Sequence, residues 1–281
     1  MITTVGISSS GEMGHRVAKV LIDHDMPVIG CLEGRSERSQ KRARAAGIES
    51  VANLNDVVQQ ADLFLSILPP VHALEMARKI AATGENVTYV DCNAVSPHTA
   101  IEIGDTLSNC GIDFIDAGII GPPPTKQGVT RFYASGEHVD KFVLLSQYGL
   151  DIRILGNEIG QASGFKMCYA SQTKGRYAIF IESLVAAYRL DCYHQLIDEL
   201  KLSQHTIYTD IKNTVPDIPA KSNRWIVEME EIAESFGAVG MTREIFYGVA
   251  DMYRAITGVH LSEPNNLNLE ELIAHLAKEM K

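Results

Sequence analysis

The segment Ser9-Ser10-Gly11-Glu12-Met13-Gly14 follows an apolar run, Thr4 to Ser8, and precedes a run with helical spacing. It reads as the dinucleotide fingerprint G-x-G-x-x-G with Ser9 in place of the first glycine. In a strand-turn-helix setting Gly11 lets the backbone approach a pyrophosphate and Gly14 lets the helix pack on the strand. The unpaired N–H groups of the first helical turn then bind phosphate. A tight structural turn is the plain alternative. The second strand run ends in Cys31-Leu32-Glu33-Gly34-Arg35-Ser36-Glu37-Arg38. There an acidic residue would accept from a ribose 2′-hydroxyl, whereas an arginine would pair with a 2′-phosphate. Arg35, Ser36 and Arg38 offer a forked cation, a hydroxyl and a helix start for one phosphate, so NADP is expected, with NAD possible. Glu33 facing the ribose beside solvated arginines is the competing reading.

A second group of polar residues lies in a helical pattern otherwise rich in Ala, Ile and Leu. Positions 166, 169, 170, 173, 174 and 177 form one stripe at helical spacing, so Lys166, Tyr169, Thr173, Lys174 and Tyr177 are expected to face a common cleft. Lys174 would there hold a substrate carboxylate or phosphate. A solvated seam explains the same pattern. Farther on, Arg224 offers an anion fork and Trp225 an apolar wall for a substrate. Core packing explains the single tryptophan equally well, and pairing at i, i+4 explains Arg224 beside Glu228.

These residues need elements to hold them. Up to about Leu155, runs rich in Ile and Val (Ile2 to Ser8, Met26 to Leu32, Ala61 to Leu68, Val87 to Asp91, Ile112 to Ala117, Thr130 to Ser135, Asp151 to Leu155) alternate with helical runs. The helical runs are Met13 to His24, Glu37 to Ala46, Val71 to Ala82, Pro97 to Cys110 and Glu137 to Gly149. This alternation predicts an α/β domain built on a doubly wound, mainly parallel sheet. After Gly156 the strand signal fades. Phe165 to Leu190 reads as one long helix, followed by helices at 193–200, 204–213, 223–235, 242–257 and 268–280, with breakers at Val215 to Pro219 and Ser262 to Asn266. The expected organisation is a Rossmann domain over 1–158 and a smaller all-helical domain for substrate binding and dimerisation over 159–281.

Composition limits the function. The 281 residues carry 25 Lys plus Arg against 35 Asp plus Glu, a net charge of -10, so no overall positive field favours nucleic acid or anionic lipid. Apolar runs are far shorter than a membrane span, and the N-terminus lacks a secretory pattern. Cytoplasmic location is therefore expected. The five cysteines are scattered without metal-ligand spacing, which argues against a disulfide framework or a zinc site.

Several segments together carry a resemblance. Gly11-Glu12-Met13-Gly14, Gly34-Arg35-Ser36, Ser66-Ile67-Leu68-Pro69, Asp91-Cys92-Asn93 and Gly160 to Lys166 occur in the order and spacing of the β-hydroxyacid dehydrogenases. That family includes the 3-hydroxyisobutyrate, tartronate semialdehyde and 6-phosphogluconate dehydrogenases. The resemblance covers residues 1 to about 190. Asn223-Arg224-Trp225 through Glu231 resembles an uncharacterised subgroup with phosphogluconate-dehydrogenase-like cofactor domains. The resemblance implies that Leu68 and Pro69 line the cofactor, that Asn93 sits beside the nicotinamide, and that the helical domains form a homodimer. It also implies that Lys166 is the acid/base, giving a proton to a carbonyl oxygen or holding an alcohol oxygen. Partial burial beside a cationic nicotinamide suits a lysine to that task. As a plain loop residue, Asn93 would instead cap the helix that follows.

Departures from the family pattern bear on the substrate. Tyr169 stands where the family has Asn, and Ile120-Gly121-Pro122 replaces its substrate-binding Ser-Gly-Gly, where a proline cannot donate a backbone N–H. The resemblance thus implies an NADP-dependent oxidoreductase acting on a small β-hydroxy acid or related alcohol/carbonyl pair, with no named substrate carried over. An imine reductase with Tyr169 as proton donor is one alternative. A catalytically silent NADP-binding sensor or assembly protein is another.

Overall fold

In the computed structural model, which describes residues 2–280 except Gln127 and residues 261–266, the chain forms two compact units, Met1–Met167 and Cys168–Lys281. The first is built on eight strands: β1 (Val5–Ile7), β2 (Val28–Cys31), β3 (Glu49–Val51), β4 (Leu63–Ser66), β5 (Thr88–Asp91), β6 (Phe114–Ile120), β7 (Arg131–Ser135) and β8 (Asp151–Gly156). Their order is β3-β2-β1-β4-β5-β6-β7-β8, parallel throughout except where β7 runs antiparallel to β6. This is the expected α/β architecture with its topological switch at β1. The carboxyl ends of β1, β2, β4, β5 and β6 therefore share one edge, where open α/β sheets bind ligands.

Two apolar layers cover the sheet because side chains alternate along each strand. In β4, Leu63 and Leu65 join one core with Val5, Val17 and Leu21, while Phe64 joins the opposite core with Val57, Ile80 and Tyr89. All three β4 residues are fully buried, as a central strand with helices on both faces requires. The sequence pattern does not mark β3 or the helix Leu54–Gln60. β3 is a three-residue edge strand of half-buried or exposed residues, so it lacks the apolar run that reveals a strand.

In the second unit the expected long helix is divided. Helix Gln161–Ala170 passes into a π-helical turn, Ser171–Gly175, and continues as Arg176–Arg189. Among the described residues five further helices follow: Tyr193–Ser203, His205–Thr214, Pro219–Ala238, Glu244–Gly258 and Leu269–Glu279. Val215–Asp217 is a short 3-10 turn at the expected breaker, and Ser262 to Asn266 lies outside the described residues. Within this unit Pro219–Ala238 packs on Glu244–Gly258 around Trp225, Met229, Ile232, Val249 and Tyr253.

Candidate active site

The fingerprint turn leaves β1 and enters the helix Glu12–Asp23 at Gly11, whose backbone N–H donates to Ser9 Oγ at 3.2 Å. Gly14 is obligatory, because a Cβ there would lie 2.1 Å from the Ser9 carbonyl oxygen, whereas a Cβ on Gly11 would meet nothing closer than 3.5 Å. A close turn with open space over Gly11 and a helix start beside it fits a dinucleotide pyrophosphate. Glu12 is exposed and Met13 half-buried at the first helical turn. Ser10 plays a different part from a phosphate ligand. It is buried, and its hydroxyl donates to the Ser39 carbonyl at 2.8 Å, which ties the turn to the helix Glu37–Ala46.

Arg35 meets the same turn. Its guanidinium donates to the Ser8 carbonyl at 2.7 Å, holding a half-buried cation beside the fingerprint with further N–H groups to spend. Ser36 caps the helix Glu37–Ala46 by accepting from Ser39 N, and Arg38 is exposed in its first turn. Glu33 is exposed as well.

At the ends of β4 and β5 the structure corrects one expectation. Asn93 is only 2% exposed, and its amide is committed internally: Nδ2 donates to Ser66 Oγ at 2.9 Å and to Asp91 Oδ1, while Oδ1 accepts from Leu68 N at 2.5 Å. It therefore clamps the two strand ends instead of offering a donor to a ligand. Nor does it cap the next helix, since Ser96 does so by accepting from Thr99 N. Leu68 is half-buried and Pro69 exposed beyond this clamp.

Lys166 lies in Gln161–Ala170, and its ammonium donates to the Ile119 carbonyl of β6 at 2.7 Å. The close approach needs Gly118, where a Cβ would be 2.9 Å from Lys166 Cβ and 3.2 Å from the Ala162 carbonyl. Ile120 is 1% exposed, so its side chain belongs to the core and not to a substrate surface as expected. Gly121 and Pro122 are exposed beyond it. Gly121 adopts φ +106, a conformation that favours glycine, and Thr130 Oγ1 donates to the Pro122 carbonyl at 2.5 Å to close the loop.

Beneath this edge lie two buried aspartates that the sequence pattern does not single out. Asp91 and Asp116 are register partners on β5 and β6, and both are fully buried. Asp116 Oδ2 accepts from Gly160 N at 2.9 Å, Ser163 N at 3.0 Å and Ser135 Oγ at 3.4 Å, and Oδ1 accepts from Ser163 Oγ at 2.6 Å. Asp91 Oδ2 has no hydrogen-bond partner among the described residues. Burial, reinforced by the charge of Asp116, pushes the Asp91 carboxyl up to about 8. Burial also raises Asp116, against the four donors that favour its charged form. The proton of the pair belongs on Asp91, because the carboxylate with four donors is the better anion. The available signal was an Asp closing each apolar strand run, Tyr89-Val90-Asp91 and Phe114-Ile115-Asp116.

In the second unit a π turn, Ser171–Gly175, interrupts the regular helical spacing on which the expected polar stripe rests. The π turn changes the helical phase, so residues beyond it leave the face that regular spacing would give them. Tyr169 is 40% exposed, while Thr173 spends its hydroxyl on the carbonyls of Tyr169 and Ala170. Lys174 is ion-paired with buried Glu228 and sits 5.7 Å from the Trp225 ring centroid, and Tyr177 is buried with its hydroxyl on Asp210. Lys174 thus neutralises an internal carboxylate instead of serving as an anion site. Trp225 is core, set edge-on against Tyr253 at 5.4 Å, and Glu228 pairs with Lys174 where Arg224 was expected; Arg224 itself is exposed.

Comparison with known proteins bears on the family and the fold. Residues 2–141 match the family model of the NAD-binding domain of 6-phosphogluconate dehydrogenase, and residues 187–256 match a domain of unknown function, DUF1932. The chain belongs to this family of NAD-binding dehydrogenase-like proteins. A conserved protein of unknown function, described as structurally similar to 3-hydroxyacid dehydrogenases, superposes with a TM-score of 0.70 at 28% identity, over 90% of this chain and 97% of that one. Human mitochondrial 3-hydroxyisobutyrate dehydrogenase is 25% identical over 59% of this chain and 51% of its own length, so this chain spans about half of that relative. The Mycobacterium tuberculosis 3-hydroxyisobutyrate dehydrogenase solved with L-serine shares the fold, with a TM-score of 0.73 at 19% identity over 98% and 99% of the two chains. The fold is shared less closely by a Myxococcus stipitatus imine reductase solved with NADP+, with a TM-score of 0.57 at 18% identity over 98% and 100%. No helix among the described residues is long and apolar enough to cross a membrane.

Proposed function

We propose that the protein is an NADP-dependent oxidoreductase that interconverts a small hydroxy acid, or a related alcohol, with its carbonyl form, and that Lys166 is its acid/base. The observation that carries this reading is the Lys166 ammonium at the β6 carbonyl of Ile119, on the sheet edge that also bears the fingerprint turn and Arg35. A bound nicotinamide supplies the hydride chemistry. The fingerprint amides and Gly11 would hold its pyrophosphate, and Arg35 with Ser36 a 2′-phosphate.

In the reducing direction Lys166 Nζ gives its proton to the carbonyl oxygen as that oxygen gains negative charge. In the oxidising direction it takes the proton from the hydroxyl, so the ammonium is restored. A cation here lowers the energy of a developing alkoxide as well as moving the proton. The altered loop Gly121-Pro122 offers fewer backbone donors than a Ser-Gly-Gly loop, which favours a substrate oriented by contacts other than that loop. A homodimer built by the helical unit completes the proposal.

Lys166→Ala tests it. NADPH affinity should be retained while turnover on hydroxy acids and aldehydes falls by about 10²- to 10⁴-fold, the usual contribution of a positioned acid/base. Full turnover by this variant on a substrate that the wild type uses would refute the assignment.

A further inference from the structure

We propose that Asp116 is a positioning residue that sets where Lys166 stands on the sheet; the inference rests on the reading of Lys166 as the acid/base. A helix begins with four amides that lack intrahelical acceptors, and these are ordinarily satisfied by a residue just before the helix. At the start of Gln161–Ala170 the acceptors instead come from far away in sequence. Gly160 N and Ser163 N donate to Asp116 Oδ2, Ser163 Oγ donates to Asp116 Oδ1, and Ala162 N donates to Ser135 Oγ at 3.0 Å. Ser135 Oγ in turn reaches Asp116 Oδ2. The preceding loop adds only the long bonds between Glu158 and Gln161, so the strands β6 and β7 contribute most to the height and rotation of this helix.

Lys166 follows Ser163 by three residues, nearly one helical turn, so it emerges on the face that Ser163 turns toward β6. Ile119 follows Asp116 by three residues along the strand, about 10 Å. The helix rises only about 4.5 Å over its three residues, and the extended lysine side chain spans the rest: the helix is anchored at Asp116, its Lys166 Cβ crosses above Gly118, and the ammonium reaches the Ile119 carbonyl. Asp116 faces the positive end of the helix it anchors, and its four donors favour the charged form, in which each of these hydrogen bonds is strengthened. Carboxylate, glycine and carbonyl form a three-point seat, and of the three only the carboxylate can be changed without blocking the lysine or altering the backbone.

The test reads the lysine itself and needs no substrate. The intact, ligand-free protein is labelled with trace acetic anhydride, and acetylation of Lys166 relative to exposed Lys41 is measured by peptide mass spectrometry. Asp116→Ala, retaining its circular dichroism, should raise the Lys166 ratio about tenfold, as expected when charge-assisted bonds holding the helix start are lost. Asp116→Asn should stay within about twofold, because its carbonyl can accept from the two backbone amides while its NH2 turns to Ser163 Oγ. If Asp116→Ala does not fold, Ser163→Ala decides, with an increase of about threefold expected from losing the shorter arm. An unchanged Lys166 ratio in a folded Asp116→Ala, or in Ser163→Ala where the former is unfolded, overturns the proposal, as does an Asp116→Asn ratio as high as that of Asp116→Ala. Full turnover by Lys166→Ala would end the functional reading while leaving this labelling result intact, so the two failures are distinct.

Discussion

Replacing Asp91 by asparagine should remove a pH dependence of stability that the sheet-containing unit carries between mildly acidic and neutral pH. Asp91 is fully buried, Oδ2 is unpaired among the described residues, and the folded carboxyl is pushed up to about 8, against about 3.9 in an unfolded chain. The folded state therefore binds more protons than the unfolded state between those values. The stabilisation is complete below the unfolded value and is lost as pH rises through the folded one. Going from pH 5 to pH 7, the full shift would cost about 3 kcal/mol, and a shift half as large about 1 kcal/mol. Asparagine keeps the oxygen that accepts from Asn93 and carries no titrating proton. Its unpaired NH2 has a cost that does not vary with pH. Urea unfolding of wild type and Asp91→Asn at the two pH values, following the transition of the sheet-containing unit, isolates the effect. The stability difference between variant and wild type should shift by about 1 to 3 kcal/mol in favour of asparagine at the higher pH. A difference that stays constant within about 0.5 kcal/mol would show that Asp91 is ionised when folded, and would refute the assignment of the proton.

Three other perturbations follow from particular contacts. Gly121→Ala places a Cβ 2.0 Å from the Val129 carbonyl at φ +106, and should lower stability by about 2 kcal/mol or more; an unchanged urea midpoint would contradict the loop geometry. Lys174→Met leaves Glu228, with 8% of its side chain exposed, without its cation, and should destabilise the helical unit by about 3 kcal/mol, most of it recovered in Lys174→Met/Glu228→Gln. Calorimetry that finds the single variant as stable as wild type would mean that the ion pair does not persist in solution. Arg35→Ala should reduce the preference for NADPH over NADH, as a ratio of kcat/KM, by about tenfold, and equal efficiency with both cofactors in the wild type would remove Arg35 from the 2′-phosphate.

The sequence pattern makes the cofactor half of the site legible because its signals are local. A strand, a glycine-bearing turn and a helix start lie within fourteen residues, and Gly14 has no freedom to vary once its Cβ would meet Ser9. The alternation of apolar runs with helical ones likewise announces the parallel sheet, except at β3, which is too short and too exposed to register. Asn93 and Lys174 show the opposite case. Each residue type suits a ligand contact, yet each is spent on a neighbour distant in sequence, on Ser66 and Leu68 in one case and Glu228 in the other.

The amino-acid sequence by itself determined the sheet-plus-helices architecture, the fingerprint turn and the position of the lysine, since hydrophobic period, glycine geometry and motif order all act over short spans of chain. Only the tertiary structure decided which polar groups are already committed. Strand register puts Asp91 beside Asp116, the packing of one helix on β6 hands Asp116 to Gly160 and Ser163, and a π turn redirects Lys174 and Tyr177. Hydrogen bonds and ion pairs close between residues whose separation in sequence, 44 between Asp116 and Gly160 and 54 between Lys174 and Glu228, is fixed by how the elements pack and not by any periodicity the chain carries.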